Sequence, residues 1–128
     1  MALPNATSEY TRQAVMTANP VKLVCLLYDG AIRFMEKARL DMHKGASADI
    51  GQSISRAYAI ISELRVTLDP TAGNGRAKPI ATELERLYTF VLDQLVKANI
   101  ERSESKLNHA LQVMKTLKEG WEGIARAA

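Results

Sequence analysis

Cysteine is almost missing from this chain: Cys25 is the only one in 128 residues. A lone thiol excludes an intramolecular disulfide and a cysteine-based zinc site, and it fits a reducing, cytosolic setting. Aromatic residues are scarce at 5%, while leucine, alanine and methionine are plentiful, a balance that favours helices over strands. Long apolar runs are also missing. The longest, Leu23–Tyr28, is far below a membrane span. Residues 1–19 lack the basic start and apolar stretch of a secretory signal. Neither His43 nor His109 sits in a metal-binding His-Glu-x-x-His or Glu-x-x-His arrangement. Gly73 and Gly75 are not followed by the Lys-Ser/Thr of a phosphate-binding loop, and no nucleophile elbow is present. The chain is therefore expected to be no enzyme and to hold no metal or cofactor. Runs of like charge are absent as well. Seventeen basic and 14 acidic residues give a net charge of +3, but they are interleaved, which reads as a solvated mixed surface without a nucleic-acid partner.

What is present suits one packed domain. Hydrophobic residues make up 47% and charged residues 24%, close to globular averages. Residues 1–19 carry Pro4, Asn5, Thr7, Ser8 and Thr17 and read as an extended or partly helical lead-in. Residues 20–128 read as a helical bundle. Asn19-Pro20 opens a first long helix, with Pro in the favoured first position and Gly45 as its C-terminal stop. A second helix spans roughly Asp49 to Asp69, with Ile50, Ile54, Ala57, Tyr58, Ile61, Leu64 and Leu68 on one face. Pro70 ends it, and a flexible loop is expected from Thr71 to Gly75. The third helix starts near Pro79 or Thr82, with Ile80, Leu84, Leu87, Tyr88, Val91, Leu95 and Ala98 as its core stripe and Leu92 and Val96 to one side. The fourth begins near Glu101 to Ser103 and carries Leu107, Ala110, Leu111, Met114, Leu117 and Trp121. Four amphipathic segments with short connections predict an all-α, antiparallel up-down-up-down four-helix bundle.

The first helix has more apolar surface than one stripe requires. At 100° per residue, Val24, Leu27, Tyr28, Ala31, Met35, Ala38 and Met42 form its core face. Leu23, Leu26 and Phe34 fall to one side, with Gly30 between the last two, while Cys25 and Ile32 widen the other edge. Either residues 1–19 fold back over the surplus or a partner helix covers it. Gly30, which costs about 1 kcal/mol of helix propensity, marks either a close approach of another chain or tight packing within the bundle.

Tyr10, Val15, Thr17-Ala18-Asn19-Pro20 and Leu27-Tyr28-Asp29-Gly30-Ala31-Ile32 together resemble the N-terminal signature of the flagellin export chaperones, the FliS family. Arg56-Ala57, Ile60-Ile61, Glu63-Leu64 and Leu68-Asp69 are similar to its second long helix, Leu87-Tyr88, Leu95 and Ala98-Asn99 to its third, and Leu117 with Trp121 to its C-terminal end. Asn19 replaces the usual Ser before Pro20, and the 70–79 loop lacks the commoner Gly-Gly pattern. The resemblance implies a cytosolic chaperone that binds the C-terminal segment of flagellin, prevents its early polymerisation and helps deliver it to the flagellar type III export apparatus, without inserting into a membrane. On that reading Tyr10 and Val15 lie in a lead-in that either caps a groove or contacts the client, Leu23, Leu26, Leu27, Gly30 and Phe34 offer the apolar surface that meets it, and Ile54, Tyr58, Ile61 and Leu64 are mostly core by periodicity and touch the client only at their edges. Tyr28 and Asp29 are expected to serve structure, with Asp29 facing outward. A generic helical adaptor or a phosphotransfer bundle built on His109 is the alternative, although Gln112 and Val113 depart from the phosphotransfer pattern.

Overall fold

The computed structural model describes residues 20–45 and 48–127. Four helices follow one another: α1 (Pro20–Lys44), α2 (Ile50–Val66), α3 (Lys78–Glu101) and α4 (Glu104–Ala127). Each packs against its neighbours in sequence, and α1 also packs against α4, which closes a ring with α1 and α3 on one diagonal and α2 and α4 on the other. That is the up-down-up-down arrangement expected from short connections.

Local chemistry sets the helix limits. Gly45 takes φ +75°, and its N–H reaches the Met42 carbonyl, so α1 ends where a left-handed residue is tolerated. α2 stops at Val66, three residues earlier than expected, because the Thr67 hydroxyl donates to the Leu64 carbonyl (2.7 Å) and Asp69 then forms a turn by accepting from the Thr71 N–H (2.9 Å) and hydroxyl (2.5 Å). Those two bonds hold the Asp69 carboxyl below its usual range. Residues 67–77 form hydrogen-bonded turns with Gly73, Asn74 and Gly75 in the left-handed region. Pro79 lies in the first turn of α3, while Thr82 falls inside the helix, so proline decides that boundary. Arg102 adopts φ 50° and ends α3, and the Ser103 hydroxyl accepts the Lys106 N–H (3.2 Å) as the cap of α4.

The core collects Tyr28, Ala31, Met35 and Ala38 of α1, Ile54, Ala57 and Ile61 of α2, Tyr88, Val91, Leu95 and Ala98 of α3, and Leu107, Ala110 and Met114 of α4. Three expectations fail. Tyr58 is 38% exposed and Ile80 is 65% exposed, although both were placed on core stripes, whereas Leu92 is buried. α2 has 17 residues against 24 for α3, so it is roughly 10 Å shorter and leaves the start of α3, with Ile80, uncovered. Leu92 is covered because α3 has neighbours on both flanks, which widens its buried arc.

One polar contact lies at the centre. The hydroxyls of Tyr28 and Tyr88 meet at 2.6 Å across the α1–α3 diagonal, with ring centroids 6.4 Å apart and planes tilted by 56°. Burial is the main cause that lifts both phenols above their ordinary pKa. Removing the Tyr28 hydroxyl strands that of Tyr88 in the core, whereas the Tyr28 hydroxyl left by Tyr88→Phe still has the Trp121 indole N–H as a donor. Tyr28→Phe and Tyr88→Phe are each expected to cost about 1–3 kcal/mol in urea unfolding, and the double variant less than the sum. Both phenols have raised folded-state pKa values, so their contribution is complete below about pH 10 and declines as pH rises above it, where the unfolded chain ionises first. The double variant should flatten that alkaline decline.

Candidate functional site

Among the described residues no cluster of His, Cys, Asp and Glu is arranged to hold a metal ion. Cys25 is half-buried, and burial first, then the carboxylates of Glu122 and Asp29, push its thiol pKa up, away from the reactive thiolate. His109 is exposed on α4. The features able to do work are instead apolar concavities.

The first is a groove between α2 and α3, about 260 Å³ in volume, with Ile54 and Leu95 at its floor and Tyr58, Val96 and Ile100 at its walls. Val96 is 43% and Ile100 77% exposed. Gly51 of α2 lies beside the end of α3, where a Cβ would stand 3.6 Å from Asn99 Oδ1 in ordinary contact. Ile100 faces solvent one turn beyond Val96. A second groove, about 210 Å³, runs between α3 and α4 and is lined by Leu87, Gln112, Val113, Thr116 and Leu117. Exposed Phe90 stands one turn from Leu87 on α3. A third concavity, about 410 Å³, opens at the end where α2 stops short, between Val24, Leu64, Leu68, Ile80, Leu84, Tyr88 and Trp121. The first two grooves flank α3 on opposite sides.

The residues expected to meet a client do not form one surface. Leu26 is exposed, whereas Leu23 and Leu27 are half-buried. Gly30 is buried and faces α2, where a Cβ would meet Ile60 Cδ1 at 3.4 Å, an ordinary contact distance. Phe34 lies partly covered, with the Arg56 guanidinium 5.7 Å from its ring centre. Ile54 reaches only the floor of the α2–α3 groove, Ile61 is fully buried and so presents no edge, and Leu64 walls the end cavity. Tyr10 and Val15 lie outside the described residues. Asp29 faces outward, with its side chain 44% exposed, and its Oδ1 pairs with Lys118 Nζ of α4 at 2.6 Å, a contact that raises the pKa of the lysine. Lys115 with Glu36 (2.9 Å) forms a second α1–α4 pair. The residues that sequence reasoning passed over are Ile100 and Phe90. The off-stripe position of Val96 was the signal, since Ile100 repeats it four residues on.

Residues 3–128 match the family described as "Flagellar protein FliS". The chain belongs to this family. Among its relatives, the flagellar secretion chaperone FliSB of Pseudomonas aeruginosa is 33% identical over 111 residues, covering 87% of this chain and 85% of that one. The FliS chaperone of Salmonella typhimurium is 31% identical over 116 residues (90% and 83%), and that of Campylobacter jejuni 32% over 122 residues (93% and 90%). A crystal structure described as a flagellar chaperone from bacteria superposes with a TM-score of 0.76 at 22% identity, over 97% of this chain and 98% of the other, and shares the fold. FliS proteins are a family of flagellar secretion chaperones and not of enzymes. No helix among the described residues is long and apolar enough to cross a membrane.

The Gly30 environment leads to a stability prediction. An added methyl meets only the flexible tip of Ile60 at ordinary contact distance. Gly30→Ala is therefore expected to raise the unfolding free energy by about 0.5–1 kcal/mol through helix propensity. A loss in urea unfolding would show that the α1–α2 seam is tighter than its geometry.

Proposed function

We propose that this FliS-family chain is a cytosolic chaperone that binds the C-terminal region of flagellin, keeps it from polymerising and assists its delivery to the flagellar type III export apparatus. The observation that carries the reading is the pair of apolar grooves on either side of α3. A segment that is disordered before binding can lay the apolar face of a helix into such a groove. Each large apolar side chain it fully buries contributes about 1.5–3 kcal/mol, before the cost of ordering the segment. Several anchors spread over two grooves are needed to exceed that cost, and this favours a long client segment over a short motif. A rigid bundle contributes little ordering cost of its own. The phosphotransfer alternative rests on His109 alone, without the residues that would follow it.

Calorimetric titration of the full chain with about the last 50 residues of the cognate flagellin tests the reading. Binding at micromolar concentration or tighter is expected, and Tyr58→Asp or Ile100→Asp should weaken it at least about ten-fold while helicity is kept, because a carboxylate would be desolvated against an apolar face. Absence of a complex would count against the chaperone–flagellin reading. A loss on Leu26→Asp as large as that on Tyr58→Asp would instead return the client to the face of α1 singled out by hydropathy.

A further inference from the structure

The turn between α2 and α3 carries a chemistry that no other part of the chain repeats. Of the asparagines Asn5, Asn19, Asn74, Asn99 and Asn108, only Asn74 precedes a glycine; the others precede Ala6, Pro20, Ile100 and His109. The order matters because a main-chain nitrogen can attack the side-chain carbonyl carbon of an asparagine just before it. A side chain on the following residue shields that nitrogen, and proline has no N–H to give up. Glycine leaves it open. The setting singles out the same residue. Asn74 is exposed in a turn at φ 59°, a left-handed conformation that asparagine tolerates. Asn99 and Asn108 lie within α3 and α4, where helical hydrogen bonds hold the next N–H.

We propose that Asn74 is a site of spontaneous deamidation and that the turn around it holds the reaction back. The Gly75 nitrogen loses its proton to solvent base and bonds to Asn74 Cγ. The Cγ–Nδ2 bond breaks, ammonia leaves, and a five-membered succinimide closes. Water then opens the ring at either carbonyl and leaves aspartate or isoaspartate at this position; nothing is oxidised or reduced. In the folded chain the attacking nitrogen is engaged. The Gly75 N–H donates to the carbonyls of Thr71 (3.0 Å) and Ala72 (3.2 Å), and the ring cannot close until both are released. Attack therefore waits on a local opening of the turn. Asp69 ties the same turn from its other side by accepting from the Thr71 N–H and hydroxyl. The product alters the short-α2 end of the bundle, since Thr67, Asp69, Ala72 and Ala77 line the end cavity. Deamidation adds a negative charge to this turn. Isoaspartate also places an extra methylene in the main chain, which removes the spacing that brings the Gly75 N–H to its two acceptors. None of this rests on the identity of a client in the grooves.

The test holds the full chain in mildly alkaline buffer, folded and separately unfolded in urea, and follows the amide-to-acid mass gain by peptide mass spectrometry. In urea the gain should appear first in the peptide that spans Asn74. The folded chain should gain it at least about ten-fold more slowly, because only the opened fraction reacts. Asn74→Ser should remove the gain. Gly75→Ala should slow it several-fold in urea, where no fold is at stake, and Asp69→Ala should raise the folded rate several-fold. The site is overturned if another asparagine of the unfolded chain gains mass as fast, or if Gly75→Ala does not slow the reaction. The role of the turn is overturned if folded and unfolded chains react at equal rates, or if Asp69→Ala leaves the folded rate unchanged.

Discussion

The hydrogen bond between Tyr28 and Tyr88 sets how far apart α1 and α3 stand and at what level they face each other. Two phenols can meet at 2.6 Å in a core only if both helices present them at the same height, and an error of one turn would bury two unpaired hydroxyls. The rest of the packing fits around that distance. Fully buried alanines, Ala31 and Ala38 on α1, Ala57 on α2, Ala98 on α3 and Ala110 on α4, let the four backbones close in. The larger Met35, Ile61, Leu95, Leu107 and Met114 fill the layers between them. A polar pair in an apolar interior adds little net stability, but it penalises alternative registers, which a purely aliphatic core does not.

Much of this was legible because periodicity reports what a helix buries. All four helices and most of their core stripes follow from apolar spacing, and Pro20, Gly45, Pro79 and Ser103 mark boundaries through chemistry that acts within a few residues. The family could be reached from residues spread along the chain. The location of the open surface could not. Hydropathy sums the apolar area of a helix without saying which neighbour covers it. The surplus on α1 is partly absorbed by α2, whose Ile60 packs against Gly30 while Arg56 lies over Phe34. Leu26 and Leu40 stay exposed on α1, but more of the open apolar surface lies along α3, where Ile100 and Phe90 look unremarkable one at a time. The exposure of Ile80 depends on where α2 stops, and a hydroxyl and a carboxylate in the following turn decide that.

α3 is a ridge between two apolar grooves, with mixed charges on its outer face. α1, diagonal to it in the ring, is joined to α4 by the Asp29–Lys118 and Glu36–Lys115 ion pairs and also carries both signs of charge on its outer face.

Trp121 is the only tryptophan in the chain, and it sits at one end of the bundle, beside Val24, Leu84 and Tyr88 in the cavity left by the short α2. Its fluorescence is therefore a local optical probe of that end, while circular dichroism averages over all four helices. If the two signals followed the same denaturation curve, the short-helix end would be part of a single cooperative unit. If emission changed first, that end would open as a separate foldon while the far end, where α3 turns into α4, stayed closed.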